Sequence, residues 1–349
     1  MLSIFKAFKR FFSFLFISLI FIGCQGDKKQ TSDAPKSYVI TGETQGTTYA
    51  IKYFTSDQEV SKQSIDSLLR EFDLSLSTYI PDSKISKINL GDTTIVLDQK
   101  MIDTYKASEK IYEDTNGLFD PTIGVLVNAY GFGPSKNKQI ITDKLIDSLL
   151  TMVGFEKVKL SEDAKIIKTN PNIYFDFNAI AQGYSVDVVA DFLNSKGIIN
   201  FMVEIGGEIR CQGTNLESNK SWIIGVEDPT KPVTERTILK KIKLDNLSLA
   251  TSGNYRKIQT DSISGEKYVH TIHPKTGKAN KSNILSATIL ADNCMDADGY
   301  ATALMLMNLE EGKAFFAQKP NLYGFIIYQD NSSEIQYFQT ENLTKLILE

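Results

Sequence analysis

Between residues 200 and 291 the sequence breaks into short runs rich in β-branched and aromatic residues, at about 200–211, 221–227, 236–243, 247–251, 267–272 and 283–291. Turn-forming residues separate the runs, and no helical period intervenes. Further runs of the same kind lie at about 157–168, 173–177, 322–329 and 334–339, and "SYVITGETQGTTYAIKYF" (37–54) reads as strand, turn, strand. Amphipathic helical patterns are expected near 59–76, 99–115, 143–153, 179–196 and 295–317. Strand and helix do not alternate regularly enough for a doubly wound parallel sheet, so the fold class expected is α+β, a strand-rich core with peripheral helices. No G-x-G-x-x-G opens a helix after a strand, no G-x-x-x-x-G-K-[ST] occurs, and no repeat of about 20 to 50 residues suggests a solenoid. A nucleotide bound by this chain is bound by another design.

With 349 residues and ordinary apolar and charged fractions the chain can bury a large core, and its net charge of −4 does not recommend nucleic acid as a partner. The start differs in kind. Lys6, Lys9 and Arg10 precede "FFSFLFISLIFIG", which is shorter than the roughly 20 apolar residues of a spanning helix and reads as a signal peptide over 1–23. "FIGC" resembles a bacterial lipobox with Phe21 in place of the usual Leu, so Cys24 is expected to be the lipidated mature N-terminus. An uncleaved anchor is the alternative. Residues 24–37 are polar and without period, a flexible tether, leaving 38–349 as the functional domain. The implied localisation is an exported lipoprotein on a bacterial membrane, facing the periplasm. Cys211 and Cys294 both sit in apolar stretches and are expected to be buried free thiols rather than a disulfide.

Three groups of residues stand out chemically. In "CMDADGYATALMLM" (294–307) Asp298 and Thr302 are four residues apart, so on a helix their oxygens share one face and suit a hard cation. The alternative is that Asp296 caps the helix and Asp298 is a solvated first-turn residue. The chain's two histidines, His270 and His273, both fall in "VHTIHPKTG", too few for a zinc-type site. In a strand there, His270 and Ile272 would face one way and His273 the other, with His270 the candidate proton shuttle. In "YFDFNAIAQGYSVDVVADFLNSKG" a strand ending at Phe177 would lead into a helix capped by Asn178, with an apolar stripe of Ile180, Tyr184, Val188 and Phe192. Asp176 would then sit at the strand-to-helix junction. Glycine-bearing strand ends, "QGTTY", "NGLFDPTIGVLVNAYGFG", "VEIGGEIRCQG" and "LATSGNYRK", complete the set.

Taken in order, "QGTTY", "STYIPDSKISKIN", "GLFDPTIGVLVNAYGFG", "DFNAIAQGYSVD", "VEIGGEIR", "ATSGNYRK", "HTIHPKTG" and "DADGYATAL" resemble the ApbE family of FAD:protein FMN transferases across residues 38–330. The resemblance implies the family's T-fold-like architecture. It also implies a Mg2+ site made by Asp298, Thr302 and the carbonyl of Ala179, and a flavin site made by Gln45, Tyr79, Leu118, Phe119, Asp120, Asp176, Gln182 and Ile272. His270 matches the family histidine. The chain departs from the family pattern at three positions: His273 replaces a common Asp, Gln182 a Lys or Glu, and Gln45 a Met.

The activity so implied is cleavage of FAD and transfer of FMN to a threonine of an exported flavoprotein, with release of AMP. His270 would be the base, and Asp298 the alternative base or metal-bound helper. The acceptor class is a flavin-carrying subunit of a redox pump or an FMN-binding domain. Two other readings are a Mg2+-dependent FAD pyrophosphatase, with water as acceptor, and a non-catalytic flavin-binding lipoprotein.

Overall fold

The alternating pattern of residues 36–55 folds as a hairpin, β1 (Lys36–Thr44) and β2 (Thr47–Thr55), closed by Gln45 and Gly46. Both turn residues have positive φ, +52° and +72°, the conformation whose twist matches that of the flanking strands. The hairpin is one edge of an eight-stranded sheet completed by β3 (Asn200–Ile205), β4 (Glu208–Gln212), β5 (Ser248–Gly253), β6 (Ile284–Ala291), β7 (Tyr323–Gln329) and β8 (Ile335–Gln339). Numbered in this way, the strands lie side by side in chain order, and every neighbouring pair is antiparallel. The sheet is a meander with long excursions. The helices that matter for the site are inserted into it: α1 (Lys62–Leu76), α2 (Gln99–Asp114) and α3 (Ala181–Ser195) between β2 and β3, and α4 (Cys294–Leu304) between β6 and β7.

This computed structural model describes residues 34–348 apart from 57–58, 136–138, 230, 232, 236, 254–257, 261–266, 270 and 280–281. The leader, Cys24, most of the expected tether and His270 lie outside the described residues. Pro35–Glu349 forms one compact unit. Among the described residues no helix is long and apolar enough to cross a membrane.

The period-2 alternation of the strands decides what each face covers. On β4, Ile209 and Cys211 point to a small sheet of Trp222–Glu227, Ile238–Leu244 and Ile347–Leu348, and share a core with Trp222, Ile242 and Leu244. The intervening residues Glu208 and Arg210 point to α3, where they bond Gln182 and Asp187. On β5, Leu249 joins the small-sheet core, while Ala250 and Ser252 face α4. Burial of Val186, Val189, Ala190 and Leu193 of α3 against Ile51, Phe201 and Val203 holds that helix on the sheet. Each such valine, leucine, isoleucine or phenylalanine contributes about 1.5–3 kcal/mol relative to exposure, and Ala190 less. Cys211 and Cys294 are buried and unpaired, as expected.

Several expectations are corrected. β1 begins at Lys36, inside the expected tether, because Lys36 already pairs with Thr55. Residues 173–177 form no strand; Tyr174 makes a single bridge to Ile123. α3 starts at Ala181 with Ile180 at its cap position, and Asn178 caps nothing: its own N–H goes to Asp176 Oδ1 at 2.9 Å. The buried face of α3 centres on Gly183, Val186, Ala190 and Leu193, leaving Tyr184, Val188 and Phe192 half-buried at its flank. The helix expected at 295–317 is two, because Met305–Asn308 break it and Asn308 opens a second helix, Leu309–Gln318, with a capping box. Regular strand ends at Val269, so the alternation assumed through His273 does not hold: Thr271 and Ile272 are both buried.

Candidate active site

The N-cap of α4 is Asn293, whose side chain accepts from Asp296 N–H at 2.7 Å. Asp296 is thus a first-turn residue, and its carboxylate meets Lys110 Nζ at 3.1 Å. Asp298 is not solvated; it is only 6 % exposed and lies against α3. Gly183 makes that approach possible. A Cβ on Gly183 would fall 2.3 Å from the Cys294 carbonyl oxygen and 2.7 Å from Asp298 Cβ. Without one, Gly183 N–H donates to Asp298 Oδ2 at 3.0 Å. One turn further along α4, Thr302 Oγ1 reaches to 3.5 Å from the carbonyl oxygen of Ala179, which precedes α3. Ser252 Oγ of β5 stands 3.3 Å from the same hydroxyl.

Asp298 and Thr302, four residues apart on α4, thus face the Gly183 N–H and the Ala179 carbonyl across the α3–α4 crossing. Burial raises the Asp298 carboxyl from its ordinary 3.8 to about 7, against the lowering effect of the Gly183 N–H. Glu208, on the β4 face turned to α3, is held well above the carboxylate range by burial and then by the Asp298 charge. A hard cation suits this set. Adjacent oxygens around an octahedral ion bound at about 2.0–2.1 Å stand roughly 3 Å apart, and around a larger ion somewhat more; Thr302 Oγ1 and the Ala179 carbonyl are close to that spacing. A cation would also offset the cost of ionising Asp298. Among the described residues no three His, Cys, Asp or Glu side chains form a group that could hold a metal ion.

Gln182 adjoins the crossing. Its amide nitrogen donates to Glu208 and, at 3.1 Å, to the Ile205 carbonyl. Gly206, with φ +64°, leaves room for that amide where a Cβ would sit 1.9 Å from Nε2. Gln45 closes the neighbouring hairpin turn and is tied to two helices, donating to Asp73 Oδ1 of α1 and accepting from Ser185 Oγ of α3, both at 3.3 Å. The two turns touch, since Gly206 N–H donates to the Thr48 carbonyl at 3.0 Å.

A second group of the expected residues includes Asp176, three positions before Ala179. Asp176 accepts from Asn178 N–H, and its own N–H donates to the Pro121 carbonyl at 2.7 Å. Tyr79 is 58 % exposed, and its hydroxyl donates to the Phe132 carbonyl at 3.3 Å. Partial burial raises the Tyr79 phenol, and the charge of Asp176 adds to this. Asp120 is buried and its Oδ1 accepts from Thr122 N–H and Oγ1 at 2.8 and 2.6 Å; burial lifts its carboxyl to about 6. Phe119 is in the main core, Leu118 packs on it, and Ile272 is buried with Leu126, Ala129 and Tyr130. These three side chains are taken up by packing, which leaves mainly their backbone for a ligand. His273 Nδ1 accepts from Lys275 N–H at 3.2 Å and so closes the turn that follows it.

The sequence reading missed Gly183, Glu208 and Ser252. Each lies inside a stretch it had singled out, and the signal available was spacing: Ala179 and Gly183 are four apart, as are Asp298 and Thr302. A cavity of about 550 Å3 between β1 and α1, lined by Glu43, Lys62, Asp66, Arg70 and Asp73, adjoins Gln45, whose amide donates to Asp73.

The sequence profile of the ApbE family matches residues 45–326. The FAD:protein FMN transferase of Vibrio cholerae is 36 % identical over 303 residues, covering 85 % of this chain and 87 % of its own. That of Haemophilus influenzae is 34 % identical over 330 residues, 90 % and 91 % of the two chains. Among solved structures, the flavin transferase ApbE from Vibrio cholerae superposes with a TM-score of 0.78 at 32 % identity, over 89 % of this chain and 99 % of its own. The apo form of Pseudomonas stutzeri flavinyl transferase ApbE gives 0.78 at 27 % identity, over 89 % and 97 %.

Proposed function

The chain belongs to the ApbE family, and we propose that it is an FAD:protein FMN transferase that uses Mg2+ to attach FMN to a threonine of an exported flavoprotein and releases AMP. The observation that carries the metal-dependent reading is the meeting of Thr302 Oγ1 and the Ala179 carbonyl at 3.5 Å beside the buried carboxylate of Asp298. Those three residues would hold the cation, which when bound supplies charge neutralisation on the diphosphate.

The acceptor threonine oxygen forms a bond to the phosphorus on the riboflavin side of FAD. The bond from that phosphorus to the bridging oxygen breaks, AMP departs with that oxygen, and the threonine proton goes to a base. His270 is the base in this reading, with Asp298 as the alternative. Gln45, Gln182, Tyr79 and Asp176 would orient the flavin half, and the packed Leu118, Phe119 and Ile272 would offer it their backbone. Export and attachment through a lipid on Cys24 belong to the same proposal, since they put the enzyme beside an exported acceptor.

The test is to incubate the mature protein with FAD, Mg2+ and a threonine-bearing FMN-binding domain. Fluorescence that stays with the denatured acceptor is expected. Free FMN and AMP with an unlabelled acceptor would show a pyrophosphatase, and FAD bound but intact would show a binding protein.

A further inference from the structure

The α3–α4 crossing has a third contact that holds no candidate ligand. Ala179 meets Thr302, Gly183 meets Asp298, and a further turn along, Asp187 meets the start of α4. Its Oδ1 accepts from Cys294 N–H at 3.0 Å and its Oδ2 from Met295 N–H at 2.8 Å. The positions 179, 183 and 187 rise by four while 302, 298 and 294 fall by four, so the contacts are successive rungs between antiparallel segments.

The first N–H groups of a helix have no partner within it, and a local side chain normally serves as cap. Asn293 already does that for Asp296 N–H. Asp187 instead brings a carboxylate from another helix to two further N–H groups, at the end of α4 where the helix dipole favours negative charge. Asp187 is itself held from the sheet by Arg210 Nη1 of β4 at 3.0 Å. A carboxylate gripping two successive amides fixes how far α4 has slid along α3, and a slip of one turn would displace α4 by about 5.4 Å. Metal sites tolerate displacements of only about 0.2 Å.

We propose that Asp187, clamped by Arg210, is a positioning residue that sets the register of α4 on α3 and so brings Asp298 and Thr302 into coordination range of the Ala179 carbonyl. The inference rests on the metal-site reading given under the proposed function. Residues that orient metal ligands typically cost about 10–100-fold in metal affinity when changed.

The probe is Mn2+, titrated by EPR into the purified protein saturated with FAD and without acceptor. Wild type, Asp187→Asn, Arg210→Gln and Asp298→Asn are compared, with a melting curve for each. Asp187→Asn keeps the shape and loses one acceptor. It is expected to weaken Mn2+ about 10- to 100-fold, and excess Mn2+ is expected to restore transfer to an acceptor, as it does not for Asp298→Asn. A purely structural role would lower the melting temperature and leave Mn2+ affinity alone, so an affinity within about twofold of wild type in folded Asp187→Asn overturns the proposal. Should Asp187→Asn not fold, Arg210→Gln decides: it spares both helix N–H bonds, a loss of about threefold or more is expected, and unchanged affinity refutes the clamp. If Asp298→Asn binds Mn2+ as wild type does, the metal-site reading itself fails and takes the register proposal with it.

Discussion

Replacing Asp298 by Asn should stabilise the metal-free protein, and only where the aspartate would be ionised. The carboxyl is 6 % exposed, and burial carries it from 3.8 to about 7. Each pH unit of displacement corresponds to about 1.4 kcal/mol, so ionised Asp298 costs the fold about 4 kcal/mol. The sign follows from linkage: the folded state holds this proton more tightly than the unfolded chain. Stability from this group is thus fully present below pH 3.8, is lost as pH rises to about 7, and stays lost above that. Asparagine has the same shape, carries no charge, and can still accept from Gly183 N–H through its oxygen. At pH 8 without divalent cations, Asp298→Asn should therefore exceed wild type by up to about 4 kcal/mol, or about 8 °C in Tm at roughly 2 °C per kcal/mol for a domain of this size. At pH 4 the gain should vanish. Neutralising position 298 also relieves Glu208, which adds to the effect in the same direction. Mg2+ should narrow the gap at pH 8, because it binds the ionised form and stabilises wild type alone, by about 2.7 kcal/mol at a hundredfold excess over Kd, and should close it at about a thousandfold excess, where the gain is about 4.1 kcal/mol. Differential scanning fluorimetry from pH 4 to 8, with EDTA and with Mg2+, reads all of this. An Asn variant less stable than wild type at pH 8 in EDTA, or a difference independent of pH, would refute the reasoning and leave Asp298 as an ordinary hydrogen-bond acceptor.

Gly183→Ala should destabilise by about 1–3 kcal/mol despite alanine's better helix propensity, since its Cβ would meet the Cys294 carbonyl at 2.3 Å and neither backbone can yield alone; a urea midpoint equal to wild type would contradict the close crossing. Ala179→Ser should leave Mg2+-dependent turnover intact while Ala179→Pro abolishes it, because a carbonyl ligand depends on main-chain direction; a folded but inactive Ser variant would count against the carbonyl. His270→Asn should lower the transfer rate by about 10²–10⁴ with FAD binding little changed, whereas His273→Asn, losing a turn contact to Lys275 N–H, should cost far less; the opposite order in single-turnover assays would move the base elsewhere. A chain starting after Gly23 with Cys24 replaced should be soluble and active, and an insoluble product would show that the first residues serve the fold.

Much of this was legible in the sequence because strand and helix signals are local. Alternation along residues 36–55 is enough to give the first hairpin, and β-branched runs separated by turns give most of the remaining strands of the meander to within a few residues, except that the run expected at 200–211 is two strands, β3 and β4, turned at Gly206 and Gly207. The pairing of Asp298 with Thr302 is also local, since a four-residue step on a helix puts both on one face whatever surrounds it. What lay beyond the sequence depended on partners far along the chain. Asp298 resembles a solvated first-turn acid until α3 covers it, and only the absent Cβ of Gly183, 115 positions away, lets that happen. Asn178 has the chemistry of a cap, yet its N–H is taken by Asp176, and α3 begins two residues late. Asp187 gave no local sign of its role, because a carboxylate's effect on a helix end depends on which end tertiary packing brings to it. Local propensity set the elements, and the close antiparallel crossing of two of them made the oxygen site.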